Sequence, residues 1–387
     1  MKNILLIVSL LIAPLVLAGF IMIGLMAVDY QKNSTGTDTT NVDTQTPSTP
    51  TTDGTTDAPN TATIYVNIVS HNEDTLSPSQ GYDFYADPAE FQEQRDATAT
   101  FAAMLAENGA KYDFQTDWNF LLGVEKHDRE DELTNNKNLL RYLVEDLGMS
   151  VDPHSHEHLG YNYADVAYLI SKLGVTPSGV VGGFIAGPAE QSKLENYWNG
   201  AITGSKYPSY SWTPRMLWGG GTGLHIDESS LWISGVWRPQ DAEHFDTHDA
   251  DAPIPVIGHY SSTWEGLDDL LAKQANGELE DGKMYTVTIM NRQDSYDDAY
   301  IAEFEEKLKT YADETAAGKI IWVTIPETLT IWQTQYNETP TILHWEGDSA
   351  AIKNPSTSGS GLGATGQCGD GICSLFERKQ ATCSEDC

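Results

Sequence analysis

The sequence predicts an α/β protein whose main domain is a (β/α) barrel, either regular or distorted and seven-stranded. Between residues 63 and 346, short runs rich in β-branched and aromatic residues alternate with stretches of helical periodicity. Such alternation favours a mostly parallel sheet with helical crossovers, and about seven or eight strands suit a barrel better than an open sheet. Neither phosphate-binding motif, G-x-G-x-x-G or G-x-x-x-x-G-K-[ST], follows a predicted strand.

The predicted elements follow one another in a regular order. Residues 64–69 form the first predicted strand, and residues 91–108 form the first helix. The later strands are predicted at 111–117, 149–152, 179–185, 231–237, 255–258, 285–290 and 319–324. The later helices are predicted at 136–147, 163–173, 189–198, 263–276, 297–316 and 326–335. The fifth helix opens with a capping box of Ser262 and Glu265, whereas the aromatic, glycine-rich stretch 206–223 has no clear periodicity.

The two flanks of this domain have a different composition. Residues 1–29 begin Met-Lys-Asn and continue as an apolar run that is long enough to cross a hydrocarbon layer of roughly 30 Å. We interpret this segment as a signal-anchor, or alternatively as a cleaved signal peptide, with the remainder exported. Residues 30–62 are rich in Thr, Ser, Asp and Pro and residues 347–367 in Gly and Ser, so both are predicted to be linkers. The expected location is the extracellular face of the cell membrane, or the medium if the protein is secreted.

All four cysteines lie in the last segment, residues 368–387. An even number of cysteines in the tail of an exported protein predicts two disulfide bonds, whose pairing the sequence leaves open. A tetrahedral zinc knot is the alternative. The segment is therefore predicted to be a small Cys-rich module.

The composition is strongly acidic, because 22 Lys and Arg against 56 Asp and Glu give a formal net charge of −34. This charge repels nucleic acid and anionic membrane surfaces, so it argues against a function in phosphate-backbone binding. We interpret the acidity as a solubilising surface. The membrane is expected as a partner only through the N-terminal segment.

The stretch from Asp152 to His158 carries the strongest functional signal. His154, His156 and His158 lie close together at a junction between a predicted strand and a predicted helix. His154 and His158 are four residues apart, so one helical turn or tight loop can direct both imidazoles at one point. Imidazole is a common ligand of divalent transition metals, and the pattern predicts a metal site.

Carboxylates and further polar residues follow other predicted strands, where (β/α) barrels carry their sites. Glu73 and Asp74 follow the first strand. One carboxylate and two histidines form an open metal site, beside which a second carboxylate can act as general base. The other residues predicted near the site, as substrate contacts or as partners of the ligands, are His71, His156, Asp117, Trp218, His225, Arg238 and His248.

These motifs resemble polysaccharide deacetylases of the NodB-homology type (carbohydrate esterase family four). In that family the first strand ends in T-F-D-D and the third leads to H-[ST]-x-x-H, whereas this chain has H-N-E-D from residue 71 and H-S-H-E-H from residue 154. The resemblance implies a distorted (β/α) barrel. It implies that Asp74, His154 and His158 bind a divalent metal, expected to be zinc, and that Glu73 is the general base.

The implied function is that of an exported, surface-anchored, metal-dependent hydrolase that deacetylates a polysaccharide by means of metal-activated water. In this interpretation His156 and Glu157 lie between the ligands and point away from the metal, with one of them available as a partner of a ligand. Two family motifs lack a full counterpart: Arg238 and Pro239 are nearest to R-x-P-x-G, and L-x-x-H is absent. Either His225, His248 or His259 substitutes as the acid, or the activity is absent.

Two other functions are compatible with the sequence. A glycoside hydrolase on a similar barrel would use carboxylates without a metal, chosen from Glu73, Asp117, Asp227 and Glu327. A non-catalytic surface protein would bind a glycan or another partner. The Trp and Tyr residues near predicted loops suit a glycan surface, because pyranose faces stack on aromatic rings, but ordinary packing explains them equally well.

Overall fold

The computed structural model describes residues 62–72, 83–185, 187–220, 232–261, 263–292 and 296–345. All of them belong to one unit of the chain, Thr56–Cys387. The predicted anchor, almost all of both linkers and the Cys-rich module lie outside the described residues. The same is true of Glu73, Asp74, His225 and Asp227, and only the backbone of His158 is described. No helix within the described ranges is long and apolar enough to span a membrane.

The described residues contain short strands and helices in alternation. The strands are β1 (Ile64–Asn72), β2 (Asp113–Thr116), β3 (Ser150–Pro153), β4 (Val180–Ile185), β5 (Ile202–Thr203), β6 (Ser211–Trp212), β7 (Met216–Gly220), β8 (Ile233–Ser234), β9 (Val236–Trp237), β10 (Val256–Ile257), β11 (Tyr285–Arg292), β12 (Ile320–Trp322) and β13 (Leu343–His344). The helices are α1 (Pro88–Glu107), α2 (Trp118–His127), α3 (Leu139–Arg141), α4 (Tyr163–Lys172), α5 (Gln191–Trp198), α6 (Trp264–Ala275), α7 (Asp298–Lys309), α8 (Ala312–Ala316) and α9 (Ile325–Gln335).

The first sheet is parallel and contains five strands in the order β11–β1–β2–β3, with β12 also beside β1. Strand β11 pairs along β1 from Ile64 to His71. On the opposite edge of β1, residues 64–66 pair with β12 and residues 69–72 pair with β2. Strand β1 is therefore central, and its carboxyl end lies between those of β2 and β11.

The second sheet contains four strands in the order β4–β7–β10–β9. Strands β4, β7 and β10 are parallel to one another, whereas β9 runs antiparallel to β10. Two backbone contacts link this sheet to the first. His154, just after β3, forms a parallel bridge with Gly182 of β4, and the Thr288 N–H of β11 donates to the carbonyl of His259, just after β10, at 3.0 Å.

The prediction of a mixed α/β fold with a parallel sheet is confirmed. Within the described residues the strand ladders form two separate principal sheets and do not close into one continuous barrel. In each contact a residue just after a strand of one sheet, His154 or His259, meets a residue inside a strand of the other, Gly182 or Thr288. The carboxyl ends of β3 and β10 therefore lie beside β4 and β11.

Alternate residues of β1 pack on opposite faces of the first sheet, as the two-residue period of a strand requires. Ile64, Val66 and Ile68 pack in the hydrophobic core that includes residues of α1, α6 and α7. Tyr65 and Val69 point to the other face, into a smaller core with residues of β4, β7, β10 and α9. The second sheet therefore covers the face of the first sheet that the outer helices leave open.

Several elements differ from the predicted ones. Helix α2 is not anticipated by the sequence analysis, although Asp117 caps it through the N–H groups of Asn119 and Phe120. The predicted helix 136–147 is only the short α3 followed by a π-helical turn. Asn136 has a φ of 59°, and a helix cannot start at such a residue.

The other differences occur between residues 206 and 316. The predicted strand 231–237 is split at Gly235, where a Cβ atom would lie 2.1 Å from the Thr341 carbonyl oxygen. The helix predicted at 297–316 is divided into α7 and α8, and β7 lies in the stretch 206–223 that gave no clear periodicity. The capping-box prediction is wrong, since Thr263 is the N-cap of α6 and makes no side-chain capping bond.

Candidate functional site

Three of the predicted site residues come together where the two sheets meet. His71 lies near the carboxyl end of β1, His154 directly after β3, and Trp218 in β7. The ring centroids of His71 and His154 are 4.2 Å apart, and those of His71 and Trp218 are 5.5 Å apart. His154 and Trp218 are almost fully buried. The structure therefore brings these three residues together, while their roles in a site stay predictions.

His156 contacts the exposed side of this cluster. Its Nε2 atom lies 3.1 Å from Nε2 of His154, and the two rings meet edge to face. His156 therefore faces His154, which is compatible with the predicted role of a partner of a ligand. The chain turns back here instead of forming a regular helix, because Glu157 and Leu159 have left-handed φ angles of 58° and 49°.

The hydrogen bond on the other side of His154 determines its tautomer. Nδ1 lies 3.0 Å from the carbonyl oxygen of Gly182. A carbonyl oxygen can only accept, so Nδ1 carries the proton and donates it to Gly182. In the neutral ring Nε2 is then the unprotonated nitrogen, and it faces His156. An imidazole in this state is prepared to bind a metal or accept a proton.

The backbone of β4 is shaped to hold this imidazole. The pairing of β4 with β7 shifts register between Val181 and Phe184, which marks a β-bulge at Gly182 and Gly183. Gly183 has a φ of 73°, and a Cβ atom on it would lie 2.7 Å from Cε1 of His154. Only glycine leaves room for the ring at this position.

A second buried histidine repeats this arrangement on the far side of Trp218. His259 follows β10, and its Nδ1 lies 3.0 Å from the carbonyl oxygen of Gly219 in β7. The ring centroids of His259 and Trp218 are 6.0 Å apart, and the Trp218 indole N–H donates to Oγ1 of Thr288 at 3.2 Å. The sequence analysis names His259 only as a substitute acid. Its position directly after a predicted strand is the signal that places it here.

A buried polar layer lies below the histidines. Gln115 of β2 pairs with His71 on one side and with Asp152 on the other, and Asp113 lies two residues earlier on the same face. All of these side chains are buried. Burial raises the pKa of Asp152 to about 6, against the opposing effect of the Ser150 hydroxyl, which donates to it at 2.6 Å.

Burial also raises the pKa of Asp113 well above its ordinary value, and the nearby Asp152 charge raises it further. The sequence analysis does not identify Asp113 or Gln115. The D-F-Q-T sequence of β2, with a polar residue at every second position on the inner face, is the signal that could have found them.

Asp117, which the sequence analysis places near the site, has a different role. Its Oδ1 accepts the N–H groups of Asn119 at 3.0 Å and Phe120 at 3.4 Å, as the N-cap of α2. Its indole neighbour Trp118 stacks on Tyr161, with ring centroids 4.6 Å apart. The Asp117 carboxylate therefore caps the amino end of α2.

Arg238 and His248 are not brought to the histidine cluster. Arg238 follows β9, which runs antiparallel to β10, so it lies near the amino end of β10. Its guanidinium donates to the carbonyls of Ala252 and Pro253 at 3.0 and 2.9 Å and pairs with Glu338 at 2.8 Å. The Arg238 backbone N–H donates to His248 Nδ1. Burial, and then the nearby guanidinium, lower the pKa of His248.

The donor chemistry of the cluster fits part of a metal site. In tetrahedral zinc sites, Zn–N bonds of about 2.0–2.1 Å place two ligand nitrogens about 3.3 Å apart. The 3.1 Å between Nε2 of His154 and Nε2 of His156 is close to this separation. Within the described ranges no three His, Cys, Asp or Glu side chains form a metal-binding group. The pair therefore supplies two ligand positions, and a third ligand would have to come from outside the described side chains.

A scan against models of protein families, a search of curated proteins and a search of solved structures each find no match for this chain. Support for a function therefore comes from the site and from the sequence motifs.

Proposed function

We propose that the protein is an exported, surface-anchored, metal-dependent hydrolase that deacetylates a polysaccharide by means of metal-activated water. The observation that carries the proposal is the His154–His156 pair, whose Nε2 atoms face each other at 3.1 Å beside a parallel sheet's carboxyl edge. The Gly182 carbonyl supports it, because it holds His154 in the tautomer that a ligand requires.

We infer further that the two sheets form one distorted barrel. The His154–Gly182 bridge and the hydrogen bond from Thr288 to His259 support this inference, since each links a strand of one sheet to a strand of the other. In a barrel the carboxyl ends of the strands surround one mouth, where active sites lie. The histidines occupy such ends.

The proposed ligands are His154, His156 and Asp74, with His158 as the alternative second imidazole from the sequence motif. Asp74 is two residues beyond the end of β1, and the ring of His71 near that end lies 4.2 Å from His154. The short distance along the chain supports a carboxylate ligand from this segment. A bound divalent metal, which we expect to be zinc, would lower the pKa of a water and polarise a carbonyl.

The remaining roles fall to residues around the cluster. Glu73 would take the proton of the attacking water as general base. His259 is the candidate acid, because its protonated Nδ1 is held by Gly219 and its other nitrogen, once protonated, would be able to donate to a leaving group.

The geometry disfavours a metal-independent glycoside hydrolase. Two of its four candidate carboxylates, Asp117 and Glu327, are helix-capping residues. Glu327 accepts the Thr324 N–H at 2.8 Å in the capping box of α9. Carboxylates engaged in this way already serve as acceptors for backbone N–H groups at helix starts.

The experiment is a metal analysis of the full-length protein, purified in detergent with zinc present and then desalted. We expect about one zinc per chain in the wild type and in His344→Ala, whose exposed ring serves as the matched control. His154→Ala and His156→Ala should lose the metal. His158→Ala distinguishes the two proposed ligand sets. Loss of zinc in this variant would favour the set derived from the sequence, which is Asp74, His154 and His158. A wild type without zinc, or zinc retention by His154→Ala, would contradict the metal site.

The same preparations test the reaction. Release of acetate from an acetylated amino-sugar oligomer should stop when a chelator removes the metal. Glu73→Gln should keep the zinc and lower the rate by about 10²–10⁴-fold, the usual contribution of a general base. Bound zinc without any acetate release would leave a binding protein as the better description.

A further inference from the structure

We propose that Tyr163 is a positioning residue, which fixes the tautomer of His154 through the carbonyl group of Gly182. The Gly182 carbonyl oxygen accepts two hydrogen bonds. One comes from the Tyr163 hydroxyl at 2.5 Å, and the other comes from His154 Nδ1 at 3.0 Å. Tyr163 thus contacts the carbonyl group that selects the protonated nitrogen of His154.

The tyrosine itself is rigidly placed. It is the first residue of α4, it is 5% exposed, and it belongs to the hydrophobic core of the second sheet. Its ring stacks with Trp212 at 6.1 Å and meets Tyr197 edge to face at 5.8 Å. A hydroxyl on a fixed ring is an efficient clamp, because little conformational entropy is lost when it bonds.

The carbonyl that it clamps lies in a part of β4 that needs support. Val181 pairs with Leu217 and Phe184 with Gly219, so Gly182 and Gly183 are the bulged residues between two regular pairs. Two successive glycines have more backbone freedom than any other dipeptide. The Tyr163 hydroxyl is a second side-chain donor that helps to fix the orientation of this peptide group.

Loss of the clamp has a specific chemical consequence. When the carbonyl is free to turn, the Nδ1–H form of His154 loses its advantage over the Nε2–H form. The Nε2–H form can donate to His156, 3.1 Å away, but it cannot use Nε2 as a lone-pair donor. The hydroxyl therefore keeps His154 ready for metal or proton binding, whichever the site uses.

Nitrogen NMR of histidine side chains in the metal-free, full-length protein tests this directly. At a fixed pH near 8, well above the ordinary histidine pKa of about 6.5, the rings are neutral and the two tautomers have distinct ¹⁵N shifts. His154→Gln identifies the His154 signals. His259, which is held by Gly219 on another strand, is the internal reference.

We expect wild-type His154 to show a protonated Nδ1 and an unprotonated Nε2. In Tyr163→Phe the two shifts should move towards each other, as a mixture of tautomers requires, while His259 stays unchanged. Tyr311→Phe is the matched control, because it removes another buried hydroxyl, one that donates to Asp268 at 2.7 Å. Unchanged His154 shifts in a folded Tyr163→Phe, or a protonated Nε2 in the wild type, would overturn the proposal.

A second arm rests on the proposed function. If His154 is a metal ligand, zinc affinity should fall about 10–100-fold in Tyr163→Phe, the usual effect of removing a partner of a ligand. Failure of the metal site would leave the tautomer result standing, because that measurement is made without metal. If Tyr163→Phe changes the His154 tautomer as expected but leaves the zinc affinity unchanged, His154 is not a ligand.

Discussion

At the scale of single residues, His154 and His259 share one design. Each donates its Nδ1 proton to the carbonyl of a glycine on a neighbouring strand, Gly182 or Gly219, at 3.0 Å. A backbone carbonyl cannot give up a proton, so the choice of tautomer does not change with the ionisation of a neighbour. Both histidines are thereby kept with Nε2 as the nitrogen available for chemistry.

The buried carboxyl Asp113 should make stability depend on pH. Its pKa is raised in the folded protein, so between the unfolded value near 3.8 and the folded value the unfolded state releases a proton that the folded state keeps. The contribution of Asp113 to the free energy of unfolding therefore falls as the pH rises through that range. Asp113→Asn cannot ionise, and its melting temperature should fall less than that of the wild type between pH 4 and pH 8, by roughly 3 °C or more.

Circular-dichroism melts across this pH range provide the measurement. Asp251→Asn is the control, because Asp251 is exposed and its removal should leave the wild-type pH dependence unchanged. Parallel pH curves for Asp113→Asn and the wild type would show that Asp113 is ionised throughout in the folded protein.

At the scale of elements, β4 and β7 approach each other so closely that position 219 requires a glycine. A Cβ atom on Gly219 would lie 2.2 Å from the Phe184 carbonyl oxygen, and its φ of 135° is unfavourable for other residues. The neighbouring Trp218 and the carbonyl that holds His259 depend on this approach. The two strands can therefore present both glycine carbonyls only while Gly219 stays a glycine.

Gly219→Ala should prevent normal folding or lower the free energy of unfolding by about 3 kcal/mol or more, because backbone atoms would have to separate. Gly277→Ala is the control: its φ is 72°, but no atom lies within 4 Å of the added Cβ. Strain alone should lower its stability by only about 1 kcal/mol. Urea unfolding of both variants measures the difference, and equal effects would mean that β4 and β7 can move apart easily.

At the scale of the whole molecule, the described residues form one parallel sheet and one mainly parallel sheet, with the histidines where the two meet. Outside helices cover one face of the first sheet, and the second sheet covers the other. Both sheets contribute to the site, since His71 and His154 come from the first and Trp218 and His259 from the second. A site of this kind requires that the sheets fold as one domain.

Limited proteolysis of the full-length protein should therefore cut first within residues 30–62 and 347–367 and spare 63–346. The predicted linkers contain too few apolar residues to form a core, whereas the region between them buries several hydrophobic clusters. Mass spectrometry of the early fragments identifies the sites. Cleavage near residue 200 at the same rate would indicate two independent domains.

The sequence by itself determined the alternation of strands and helices and the parallel sheet. These features depend on local periodicity and on residue type, and the amino-acid sequence contains both. His71 and Trp218 also lie side by side in the structure, but their predicted roles in a site stay predictions. Helix α2 was missed despite its Asp117 cap, since the apolar pattern there is short.

Only the tertiary structure decided which imidazoles meet. The spacing of His154 and His158 suits a helix, but left-handed residues at Glu157 and Leu159 turn the chain so that His156 faces His154. The tautomer of His154 depends on Gly182, 28 residues further along the chain. No local pattern contains that contact, because it exists only when a bulge in β4 lies beside the end of β3.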